Sequence, residues 1–258
     1  MNLQPPRTVI GACAVAAALV LSACGTSGGS DASAKDTTTT AAKTSTTAPK
    51  ASTTTTGAKV TVPAAKAQAR ADSVDLTVSD FPDGWTATPY SGDGQPSPIQ
   101  ECDPSFADDS TRVARHHTDD YVLGSLDSGD GSQFSAETIV FSSAQAATET
   151  VTAFDDPKVV SCVDSKLKDA LTSQTGGTVS GTLGKEAVDL GTDQSAGLSA
   201  RYQIATPGGT TVSATVGLLA TSTGDIGTLV SILSIGDNLD ASTLKAPIDS
   251  LIAQQKSA

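Results

Sequence analysis

The chain has 258 residues, 28 of them acidic against 16 basic, for a net charge of −12, and aromatic side chains make up only 3% of it. That charge balance excludes nucleic acid as a partner, because such affinity rests on Lys and Arg neutralising phosphates. So few aromatic rings also argue against a deep stacking site for carbohydrate.

The first segment carries one cation, Arg7, followed by an apolar run over residues 9–20 that is too short to span a bilayer. It ends in Leu21-Ser22-Ala23-Cys24, a small-residue triplet closed by cysteine, which is the signature of a bacterial lipoprotein. Residues 1–23 are therefore expected to leave as a signal peptide. Cys24 then becomes the first residue and takes a diacylglycerol, whose two chains give stable membrane anchoring. The expected location is the outer face of the cell membrane.

From Cys24 to residue 72 the sequence is Thr, Ala, Ser, Gly and Lys with almost no large apolar side chain. Such a composition cannot offset the entropy of ordering, so residues 24–72 are expected to form a disordered tether. The remaining residues, 73–258, hold 25 acidic against 9 basic side chains and suit one domain with a proper core. Cys13 leaves with the signal peptide and Cys24 is lipidated, which leaves Cys102 and Cys162. In an exported domain this pair is expected to form a disulfide. Zinc is the alternative use of two cysteines, but neither has a His or Cys nearby at ligand spacing.

Trp85, in Phe81-Pro82-Asp83-Gly84-Trp85, is expected to pack the first loop of the domain onto the core. Residues 134–141 alternate in polarity, and the turn Asp127-Ser128-Gly129-Asp130-Gly131 pairs them with residues 121–126 as a hairpin. Ser143 can cap a helix carrying Ala147, Val151 and Phe154. Asp156-Pro157 then supplies an N-cap and a first-turn proline for a second helix, with the stripe Val160, Val163, Leu167 and Leu171. Cys162 lies about 120° from that stripe, so its partner should cross the helix flank. Residues 179–190 give a weak strand signal. A clear strand follows, with Leu198, Ala200, Tyr202 and Ile204 on one face. Turns at Pro207-Gly208-Gly209 and Thr223-Gly224-Asp225 then connect it to strands at 212–220 and 226–235. A last helix aligns Leu244, Ile248, Leu251 and Ile252, and Pro247 is tolerated if that helix starts near Thr243. The pattern predicts an α+β domain: a mainly antiparallel sheet, two consecutive helices inserted between strands, and a C-terminal helix.

No motif points to catalysis, a cofactor or a metal. Gly25-Thr26-Ser27-Gly28-Gly29 matches a nucleophile elbow but lies in the tether, and the pairs Ser165/Lys168 and Ser242/Lys245 lack the companion motifs of serine acyl-enzymes. His116 and His117 are the only histidines, and as strand neighbours they point to opposite faces. A hydrolase would have to use one of them as its base. The acidic clusters at Asp108-Asp109, Asp119-Asp120 and Asp155-Asp156 lack calcium-loop spacing and read as turn and cap chemistry.

The Phe81-Pro82-Asp83-Gly84-Trp85 segment, the Cys102 region, Phe141-Ser142-Ser143-Ala144-Gln145-Ala146-Ala147 and Cys162 together resemble the extracytoplasmic sensor-like domain of actinobacterial lipoproteins and receptor serine/threonine kinases. The resemblance implies an antiparallel sheet carrying helices and a cleft for an unidentified ligand. The expected function is a non-catalytic binding or sensor module, whose partners are the membrane, through the lipid on Cys24, and a small ligand or another envelope protein. The alternatives are an anchored hydrolase using His116 or His117, and a structural module that recognises other proteins. A cleft lined by His and carboxylates would favour the hydrolase, an apolar cleft the ligand binder, and a flat acidic face the interaction module.

Overall fold

The computed structural model describes residues 63–90, 98–103, 109–236 and 239–258. The signal peptide, Cys24, the Gly25–Gly29 motif and most of the expected tether lie outside these residues. Along the described chain come α1 (Ala64–Asp72), β1 (Trp85–Thr88), α2 (Pro98–Cys102), β2 (Arg112–His117), β3 (Asp120–Ser125) and β4 (Asp130–Phe141). They are followed by α3 (Ala144–Ala153), α4 (Pro157–Thr175), β5 (Thr178–Ser180), β6 (Gly184–Glu186), β7 (Gln194–Ala205), β8 (Thr211–Thr223), β9 (Ile226–Ile235) and α5 (Lys245–Ser257). The strands form one antiparallel sheet in the order β1-β3-β4-β9-β8-β7-β5, with β2 added on β4 and β6 on β7. The domain is α+β, with the helix pair between strands and the C-terminal helix where the sequence pattern puts them.

Local chemistry sets the element ends. Ser143 Oγ accepts from the Ala146 amide at 3.2 Å to open α3, and Asp156 accepts from the Lys158 amide at 2.8 Å to open α4, with Pro157 in its first turn. Gly176, at φ +62°, closes α4 in a conformation that costs other residues a Cβ clash. Asp240 caps a short 3-10 turn, Ala241–Leu244, so α5 starts at Lys245 and Pro247 sits in its first turn, where no amide donor is needed.

Two buried layers result. On one face of the sheet, Val163, Leu167 and Leu171 of α4 and Val151 of α3 pack on Ile139, Phe141, Leu198, Tyr202 and Leu233. On the other, the segment around Val74, Leu76, Phe81 and Trp85 packs with Leu251 of α5 over Tyr121, Phe134, Leu219 and Val230. Trp85 is 4% exposed and its ring lies 4.9 Å from that of Phe81, so it packs the entrance of the domain onto the core.

Two expectations are corrected. The segment 64–72, read as part of the tether, is helix α1: Ala67 and Ala71 are fully buried against Ala114, Val140 and Ile226, and Arg70 makes two hydrogen bonds to Asp225 at 2.7 and 2.9 Å. The described fold therefore includes these nine residues, which composition alone assigned to the tether. The single strand expected at 179–190 is two three-residue strands on one register of β7, interrupted at Gly181, whose φ of +127° is not a strand conformation and whose place 2.6 Å from Arg201 O, measured from where a Cβ would be, admits only glycine.

Candidate functional site

β2 and β3 form one long border of β4, interrupted at Thr118. The Thr118 amide donates to Ala136 O at 3.0 Å while its own Oγ1 accepts from the Ala136 amide at 3.1 Å, so a side chain replaces one rung of the ladder. Registers shift accordingly, His117 facing Glu137 but Tyr121 facing Phe134. The extra residue is a β-bulge, and it brings Asp120 onto the α4 face of the sheet, beside Gln133.

On that face the middle rows of β4 and β9 carry small side chains where their neighbours are large. Ser135 and Ser231 sit on facing rungs and hydrogen-bond to each other at 2.7 Å; along β9 Ser231 is flanked by Leu229 and Leu233, and along β4 Ser135 is flanked by Gln133 and Glu137. Two serines cannot fill the space that two leucines would. A groove is left between the sheet and α4, lined by Val163, Leu167, Val216, Leu218 and Leu233 with Gln133, Ser135 and Ser231, and roofed by Pro98 and Ile99 of α2. Its surface is overwhelmingly apolar. With α2 in place the remaining cavity is about 30 Å³, room for water but far below the roughly 300–1,000 Å³ of a typical ligand site.

The disulfide between Cys102 and Cys162 fixes α2 to the flank of α4, with Cα atoms 5.6 Å apart, and Glu101 pairs with Lys166 at 2.5 Å.

A polar cluster continues along the same face beyond the groove. Glu137, only 3% exposed, lies 3.3 Å from Arg115 Nε and 3.5 Å from His117 Nε2, and the His117 ring stacks on Tyr90 with centroids 4.3 Å apart. Burial, together with the charges of Arg115 and His116, pushes the His117 pKa down to about 4. Asp120 is moved the other way: burial raises its pKa, a hydrogen bond from Gln133 partly opposes this, and the charge of Asp119 adds to the rise. His116 is on the opposite face, 3.3 Å from Asp72 and 3.2 Å from Asp75.

The structure thus separates the two histidines and places neither in the groove lining. Ser165 and Ser242 are exposed, and their lysines pair with Asp164 and Asp249 instead. Among the described residues no three His, Cys, Asp or Glu side chains come together as a metal site. Sequence reasoning missed Glu137, whose signal was a glutamate on an inward rung of an alternating strand, and the Ser135/Ser231 pair, which left no signal.

Among the described residues no helix is long and apolar enough to cross a membrane. No family model and no curated protein matches the chain. Among solved structures it is similar to the crystal structure of LpqN, involved in cell envelope biogenesis of Mycobacterium tuberculosis, at 11% identity and a TM-score of 0.31, over 67% of this chain and 78% of that one. A likeness of that depth bears on neither the fold nor the function.

Proposed function

We propose that this chain is a lipid-anchored envelope protein whose extracytoplasmic domain is a non-catalytic binding module, similar in role to the sensor-like domains it resembles. The observation that carries the reading is the groove between α4 and the sheet: it is apolar, lies in the middle of the sheet and has three polar groups, Gln133, Ser135 and Ser231, to orient what enters it. The hydrolase alternative draws on the His117–Glu137 pair. An imidazole held against a buried carboxylate, stacked on Tyr90 and with its pKa near 4 is a poor proton acceptor near neutrality. The chain accordingly turns over no substrate in this reading.

Titration of the purified protein with 1-N-phenylnaphthylamine, an uncharged fluorescent hydrophobe, tests the groove. Binding should be lost in the double variant Ser135→Val/Ser231→Val, which replaces both partners of the hydrogen bond with side chains that fill the space. Undiminished binding by that variant counts against the groove. The anchor has its own test: Cys24→Ala should move the protein from the membrane fraction to the medium or block its processing, and a correctly processed variant that stays with the membrane refutes lipidation.

A further inference from the structure

Helix α2 has five residues, too few for a helix to stand by itself in water. Its one fully buried side chain is Ile99, 2% exposed, and that side chain enters the groove between Val163 and Leu167 of α4 and the sheet. Beneath it the Ser135 and Ser231 hydroxyls satisfy each other. At its other end α2 is joined to α4 by a covalent bond and by an ion pair on the surface. The parts are a binding groove, a short element with one apolar side chain filling it, and a fixed link outside the groove that would keep that element beside it after withdrawal.

We infer that Ile99 is an intramolecular occupant of the ligand groove, and that an apolar ligand binds by displacing α2, which swings out on the Cys102–Cys162 link. The inference rests on the binding-module reading above. The ligand group that takes the place of Ile99 is uncharged and apolar, since no ionised side chain lines the groove. The Ser135–Ser231 pair can open to give it one hydrogen bond. Because the groove is empty only in the minority of molecules with α2 withdrawn, measured affinity is reduced by that fraction.

Hydrogen exchange followed by mass spectrometry distinguishes displacement from simple filling of a void. On saturating the full-length protein with 1-N-phenylnaphthylamine, amides of residues 99–103 should exchange faster while those of α4 become more protected; a ligand that only fills residual space would slow both. Ile99→Ala should raise probe affinity about fivefold or more, by weakening the competitor. Leu171→Ala, in the same buried layer away from the groove, controls for general loosening of the core and should leave affinity unchanged. Slower exchange in α2, or equal gains in affinity from Ile99→Ala and Leu171→Ala, overturns the inference. If wild type and Ile99→Ala bind alike and the Ser135→Val/Ser231→Val variant does not bind, the plug falls and the groove stands. If no variant binds the probe, both fall.

Discussion

A chain that starts at Ser73 instead of Pro63 should unfold at a lower urea concentration, corresponding to about 2–4 kcal/mol less stability. Such a chain lacks α1, and three losses add. Ala67 and Ala71 no longer cover Ala114, Val140 and Ile226, which become wet. Asp225 loses both hydrogen bonds from the Arg70 guanidinium, in a pair whose side chains are only about a quarter exposed. The carbonyl of Ala258 loses its bond from Arg70 Nε at 3.0 Å, freeing the end of α5. The entropy of ordering nine residues offsets part of this, which is why the estimate stays well below the sum of the contacts. An unchanged midpoint would show that α1 is only an appendage of the domain.

Asp164→Ala should be about as damaging, roughly 3 kcal/mol, because one carboxylate ties α4 to β7 and to the segment that leads into β6. Its Oδ1 accepts from Tyr202 OH at 2.7 Å and from the Leu183 amide at 2.8 Å, while Oδ2 accepts from Lys168 at 2.7 Å. Tyr202 is fully buried, so its hydroxyl cannot turn to water when the acceptor goes. Burial alone would raise the Asp164 pKa, but the bonds from Lys168, Tyr202 and Leu183 outweigh it and hold the carboxyl below its ordinary range. Asp225 is held low as well, first by the hydrogen bonds from Arg70. For a carboxyl depressed in the folded state, the stabilisation is complete above its unfolded pKa of about 4 and is lost as pH falls through the folded value. Melting temperature should therefore drop as the wild-type protein is taken below about pH 4. In Asp164→Ala the starting value is lower and the acid slope shallower; parallel slopes would remove Asp164 from the account.

What was legible in the sequence followed from local chemistry. Ser143 and Asp156 announce their helices by cap geometry, and the β7–β9 meander shows itself in alternation and in glycine turns. Helix α1 was not legible, because its buried face is two alanines in a run of Ala, Lys and Arg that is compositionally continuous with the tether. Small side chains are enough there, since Ala114 on β2 lets the helix approach closely. The bulge at Thr118 escaped for a different reason: it contains no glycine, and its irregular rung is completed by a threonine hydroxyl that reads as any strand threonine. The groove is a tertiary fact. Ser135 and Ser231 are 96 residues apart, and nothing local to either reveals that they meet.

The Arg70 contacts also give the molecule a direction. The residue sits in helix α1, touches Ala258 and holds the turn at Asp225, so both ends of the described fold gather at one pole of the sheet. From that pole β8 runs its thirteen residues to the turn at Pro207-Gly208-Gly209, a span of about 40 Å at the usual rise of a strand. That hairpin tip therefore lies at the end of the sheet opposite Arg70 and Ala258. Labels placed at Gly208 and after Ala258 should accordingly sit at opposite ends of the sheet, about 40 Å apart, a spacing that a distance measurement between the two can check.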